Sequence, residues 1–114
     1  MEYKMNIEEL LKNMKKRPGM YVLEINLEYI YTYLSGFLFS RLNLNKADYI
    51  DIAFKEQFRE WIKEWIKNNI KEDFVFPSGW GYVSIICKVW KDEEERVNRF
   101  FELAETFFKE LEEK

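Results

Sequence analysis

A chain of 114 residues is one domain in length, and with 47% apolar residues it has too much to bury to stay disordered. It contains no histidine and one cysteine, Cys87, which excludes an internal disulfide, a Cys/His zinc site and the histidine-dependent nucleophile systems. Its net charge of −3 speaks against nonspecific nucleic-acid binding, which rests on cations neutralising phosphates.

The opening residues, Met1 to Asn6, lack the basic-then-apolar order of an export signal. The most apolar run, Leu34 to Phe39, is far too short to span a bilayer. With its lone thiol, the chain is expected to be soluble and cytoplasmic.

In chain order, Asn6 is suited to cap a first helix, with Glu9 as its capping-box partner. Ile7, Leu10, Leu11 and Met14 then repeat at helical spacing. Lys15, Lys16 and Arg17 crowd the end of this helix, where cations suit the dipole, and Pro18 stops it. Pro18-Gly19 fits the centre of a type II turn, with Met20 and Tyr21 plugging the gap between the first two helices. Met20 to Leu23 reads as a short extended connection.

Asn26 is suited to cap a second helix, carrying Leu27, Ile30, Tyr31, Leu34, Phe37, Leu38 and Leu42 at helical spacing. Tyr29, Tyr33 and Phe39 add apolar bulk on its other sides, which predicts a central position. Gly36 in its middle implies close approach of another element. A third helix starts at Asp48 or Asp51 and carries the stripe Phe54, Phe58, Trp61, Ile62, Trp65, Ile66 and Ile70. Glu56 with Arg59, Glu60 with Lys63 and Glu64 with Lys67 are spaced to pair along its outer face.

Glu72 to Gly81 is irregular. Val83 to Trp90 fits a strand with Val83, Ile85, Cys87 and Val89 on one face. It also fits a helix capped by Ser78, with Trp80, Val83, Cys87 and Trp90 in one stripe. A strand would lack a partner, which favours the helix. Asp92 and Glu95 then open a last helix with the stripe Val97, Phe100, Phe101, Ala104, Phe107, Phe108 and Leu111. The fold expected is mainly α: a single compact helical domain over 1–114, about five helices, with room for one short extended segment.

Arg17-Pro18-Gly19-Met20-Tyr21 is similar to a run in the ATPase domains of the DNA gyrase B subunit. Those domains also need an Asn-bearing helix for magnesium, an adenine-reading Asp and Gly-rich lids, and four glycines cannot supply them. The chain more closely resembles small bacterial proteins that open with a helix and this same corner. Gly36-Phe37, Phe58-Arg59-Glu60-Trp61-Ile62, Ser78-Gly79-Trp80 and Phe100-Phe101-Glu102-Leu103 match their later segments. Leu23 stands where a glycine often follows the Met-Tyr pair. Some of these proteins look like immunity proteins that neutralise toxins, so the resemblance implies a noncatalytic inhibitor that occludes a toxin.

From Asp92 onward nine acids face four bases, a net −5, which leaves +2 on the rest of the chain. Such a region is either a solvated face or an acidic surface that attracts a basic partner, such as a basic toxin domain. Trp80, Tyr82, Asp92, Glu93 and Glu94 are the candidate partner-binding residues. Trp80 and Tyr82 read equally as core rings. Lys15, Lys16 and Arg17 are a candidate anion site, which would make the chain a nucleotide or phosphate-ligand binder. The aromatic content of 18% also fits a homo-oligomeric scaffold. No catalytic, cofactor or metal residue is assigned. Ser78-Gly79-Trp80-Gly81 lacks the nucleophile elbow pattern, and Cys87 sits in an apolar run without a base.

Overall fold

The first helix, α1 (Ile7–Lys16), forms as its spacing requires, and Ile7, Leu10, Leu11 and Met14 are all buried. The computed structural model describes residues 5–114, so the opening Met1 to Lys4 of the segment read for an export signal lie outside it. The Asn6 side chain accepts from the backbone N–H of Glu9 at 3.1 Å. The reciprocal half of the capping box is not made: among the described residues, Glu9 Oε2 is buried without a partner.

Pro18 ends α1 as expected, but the turn differs in type. A type II turn needs Gly19 in the left-handed region, and no glycine has positive φ among the described residues. Pro18–Met20 forms a 3-10 turn instead, with Met20 N–H donating to Arg17 O at 3.1 Å and Tyr21 N–H to Pro18 O at 3.0 Å. The fixed φ of proline suits the first position of such a turn. Met20 is therefore 72% exposed and plugs nothing, and Leu23 is wholly exposed. Tyr21 and Val22 turn inward, both half-buried, and Tyr21 lies edge-on to Tyr33 at 5.6 Å. No extended segment forms at Met20 to Leu23.

Asn26 caps α2 (Leu27–Asn43) by accepting from Tyr29 N–H at 2.9 Å. This helix is not central. Leu27, Ile30, Leu34 and Leu38 are buried, while Tyr29, Tyr31, Tyr33 and Phe39 face solvent. Gly36 meets no close neighbour: a Cβ built on it would find nothing within 4 Å.

The centre belongs to α5 (Glu93–Glu112), which packs against each of the other four helices. It buries Val97, Phe100, Phe101, Leu103, Ala104, Phe107 and Phe108, an arc too wide for a helix with neighbours on one side only. Against it lies α3 (Tyr49–Asn69), burying Phe54, Phe58, Ile62 and Ile66. Phe54, Phe58, Phe100 and Phe107 form an aromatic centre with ring separations of 5.4 to 6.2 Å across the two helices. Burying each such ring contributes roughly 1.5–3 kcal/mol.

The ambiguous segment is a helix, α4 (Tyr82–Val89). Its buried face differs from the expected stripe: Ile85 and Ile86 are fully buried, whereas Val83 and Cys87 are half-buried. Ser78 does not cap it; Gly81 occupies the cap position without a side-chain bond. Its C-terminus is closed from α5, where Arg96 donates to Trp90 O at 2.7 Å and Cys87 O at 3.3 Å.

Of the three pairs expected along α3, the described ion pairs include only Glu60 with Lys63, at 3.6 Å. Arg59 instead pairs with Glu60 at 2.7 Å and crosses to the α3–α4 loop, donating to Ser78 O at 3.0 Å and Trp80 O at 3.4 Å. The radius of gyration is 14.2 Å, against about 13 Å expected of one compact domain of this length.

Candidate functional site

Asp48 and Asp51 both serve the start of α3, in a complete capping box. Asp51 is 1% exposed and does more. Its Oδ1 accepts from the backbone N–H of Ile7 at 2.8 Å, and its Oδ2 from Arg41 Nε at 2.8 Å and Asp48 N–H at 3.0 Å. One carboxylate thus ties the start of α1 and the end of α2 to the start of α3. Burial pushes the Asp48 carboxyl up, but hydrogen bonds from Asp51 and Asn6 outweigh it and hold it below the ordinary 3.8. These groups are spent on holding helices together.

The candidate anion residues do not converge. Lys15 Nζ is paired with Glu105 Oε1 at 2.7 Å. Lys16 and Arg17 are exposed at the C-terminal end of α1, where carbonyls point outward. Cations there offset the dipole; an anion would meet its negative end.

The candidate partner-binding residues are likewise divided. Trp80 is half-buried within the α3–α4 loop, with Lys88 Nζ 5.6 Å over its ring. Tyr82 is half-buried against the core, stacked on Phe100 at 5.6 Å and edge-on to Phe58 at 5.3 Å. Burial pushes its phenol well above the ordinary 10, with Tyr31 adding to the shift. Asp92 caps α5 by accepting from Glu95 N–H at 3.1 Å. Glu93 Oε2 accepts from Leu27 N–H at 2.9 Å, closing the start of α2 from α5. Only Glu94 is exposed with no ion pair or hydrogen bond among the described residues. Tyr82 and these acids stand at opposite ends of α4, an eight-residue helix about 12 Å long.

Cys87 is half-buried, and burial pushes its thiol above the ordinary 9.0; Arg96 pulls it down while Glu93 and Glu28 push it further up. Such a thiol is a poor nucleophile at neutral pH.

What remains is the outer face of α2. Among the described residues, eight of the eleven large apolar residues left exposed lie between Met20 and Leu44. Four of them, Tyr29, Tyr31, Tyr33 and Phe39, stand on the helix itself, and Phe39 is 69% exposed. From Tyr29 to Ser40 no residue is charged, in a chain where 34% of residues are. A solvated helix normally carries charges on its wet side.

Beside this face runs a groove of about 640 Å³ between α2, α3 and the start of α4. Tyr31, Leu38, Phe39, Phe54 and Tyr82 line it, with Lys55, Glu56 and Arg59 on the α3 side. The Tyr31 and Tyr82 rings meet edge-on at 5.4 Å within it. Face and groove together form a continuous aromatic surface.

This surface includes Tyr82 but otherwise lay outside the candidate residues read from sequence. Its signal was present: twelve uncharged residues in a row, three of them tyrosines. The run reads as a central helix only if every apolar side is assumed to be covered.

Compared with family models, curated proteins and solved structures, the chain matches none of them. No described helix is long and apolar enough to cross a membrane.

Proposed function

We propose that this chain is a noncatalytic protein-binding domain, of the immunity type that inhibits a toxin, and that it docks through the outer face of α2 and the adjoining groove. The observation that carries the reading is the uncharged run from Tyr29 to Ser40, which leaves four rings exposed on its uncovered side. Tyrosine and phenylalanine are enriched in protein interfaces, where each gives a large contact area at little entropic cost. Charges at that position would have to be desolvated on docking; their lack removes that cost.

The acids give the surface a direction. Glu24 and Glu28 are exposed around the start of α2, and the Glu93–Leu27 hydrogen bond brings the acidic start of α5, with Glu94, to the same end. A basic partner is drawn toward that end before the rings engage. The resemblance to immunity-type proteins supports the inhibitor class.

The test is a photo-crosslinking residue placed at Phe39, with Glu64 on the exposed side of α3 as the control position. The expected result is one protein crosslinked from position 39 only, whose toxic activity the purified chain blocks and the Phe39→Asp variant does not. Equal crosslinking from both positions, or full inhibition by Phe39→Asp, rules the α2 face out.

A further inference from the structure

The outer face of α2 has a second property that bears on what covers it. Along one exposed line stand Tyr29, Thr32, Gly36, Ser40 and Asn43, none of them charged. Tyr33 and Phe39 are placed three residues to either side of Gly36.

A second α2 laid antiparallel over the first, with the two Gly36 residues facing, would meet only uncharged residues along this line. Tyr33 of each copy then lies along one edge of the contact and Phe39 of each along the other. Gly36 has nothing within 4 Å of where its Cβ would be, so the two backbones can approach closely there.

The charges at the ends are also complementary. Glu24 and Glu28 are exposed at the start of α2; Lys46 is exposed just past its end. Glu28 and Lys46 have no ion-pair partner among the described residues. An antiparallel copy brings Glu28 toward Lys46 at both ends at once, and it opposes the two helix dipoles favourably. In a two-fold pair every patch meets itself, so a face that is uncharged in the middle and of opposite sign at its two ends is the kind such a pair can bury.

We infer that the partner seated on this face in the free protein is a second copy of the chain, paired two-fold through α2. This rests on the reading of α2 as a docking face, and it makes self-pairing compete with the partner for the same rings.

Sedimentation equilibrium of the full chain over a range of concentrations tests it. The expected result is an average mass that climbs from 14.1 kDa toward twice that value as concentration rises. Phe39→Asp is expected to remain at one chain throughout. Glu28→Lys is expected to weaken the dimer about tenfold, and the double variant Glu28→Lys with Lys46→Glu to restore it. Phe39 and Glu28 are exposed, so circular dichroism of each variant should match the parent. A single-chain mass at every concentration overturns the inference; so does a dimer that survives Phe39→Asp, or a double variant no better than Glu28→Lys. The crosslinking result at Phe39 is independent: a foreign protein captured there by a chain that stays monomeric refutes the second copy and leaves α2 as the docking face.

Discussion

The backbone N–H of Ile7 donates to Asp51 Oδ1 at 2.8 Å, across 44 positions of sequence. The first turn of α1 is thus closed by a side chain of α3, and the same carboxylate holds Arg41 through its other oxygen. Removing it would strand a largely enclosed guanidinium and two backbone donors. Asp51→Ala is expected to cost about 3–5 kcal/mol, as for breaking a buried ion pair by deleting one partner. Urea unfolding measures it, through a lower midpoint at unchanged slope. A loss under about 1 kcal/mol would show that the three helix ends are not joined at this point.

Glu93 and Glu94 are neighbours in sequence with different work. Glu93 closes the start of α2 by accepting from Leu27 N–H at 2.9 Å, whereas Glu94 makes no such bond. Glu93→Ala is expected to destabilise by about 1–2 kcal/mol, like loss of a helix cap. Glu94→Ala should stay within about 0.5 kcal/mol of the parent. Thermal unfolding of the two variants compares them directly, and equal effects would contradict the assignment.

Gly36 sits inside an exposed helix with open space around it. Alanine there removes the conformational freedom that glycine adds to the unfolded chain, so Gly36→Ala should stabilise the monomer by about 0.5–1 kcal/mol. At this chain length that corresponds to a rise in Tm of roughly 2–6 °C. Measured at low concentration, a fall in Tm would mean that Gly36 touches something within the fold. The same change should weaken self-association by spacing the two helices apart.

Tyr82 links stability to alkaline pH. Its folded phenol titrates above the ordinary 10 that the unfolded chain retains, because burial disfavours the phenolate. Above pH 10 the unfolded state therefore releases a proton that the folded state keeps, and stability falls as pH rises. Ultraviolet titration should show one phenol ionising only as the protein unfolds, and Tyr82→Phe should remove that step. No hydrogen bond to the Tyr82 hydroxyl is made within the described residues, so Tyr82→Phe should cost little, while Tyr82→Ala should cost about 3–5 kcal/mol.

Asp48 acts in the opposite sense. Its folded carboxyl lies below the ordinary 3.8, so the unfolded chain takes up its proton first as pH falls. Its stabilisation is complete above that value and is lost as pH drops beneath it. Asp48→Asn should flatten the acid limb of the stability curve below about pH 4. An unchanged limb would show that hydrogen bonds from Asn6 and Asp51 do not favour the ionised form.

Much of this architecture was written in local pattern. Asn6, Asn26, Asp48 and Asp92 each cap the helix they precede, because a short polar side chain reaches backbone donors two or three residues on, whatever the rest of the chain does. The stripe from Ile7 to Met14 is buried as its spacing requires. The end of α1 at Pro18 follows from proline's own covalent geometry.

Other features depended on which helix met which. Apolar residues all round made α2 look central, yet α5, with a charged side, took the centre. Periodicity reports how much of a helix is apolar but not how many neighbours are available to cover it. Arg59 illustrates the same limit. Its spacing suggested Glu56, but Arg59 pairs with Glu60, and the α3–α4 loop brings the carbonyls of Ser78 and Trp80 within its reach.

By itself, then, the order of residues determined the helices, most of their starting points and the lack of any imidazole chemistry, since these depend on neighbours within a few positions. Only the tertiary structure decided that Asp51 joins three helix ends, that Glu93 serves α2 and that Tyr82 packs between the core rings and the groove. It also decided that the aromatic face of α2 stays uncovered, because five helices cannot bury every apolar side of each, and the packing around α5 left this one out.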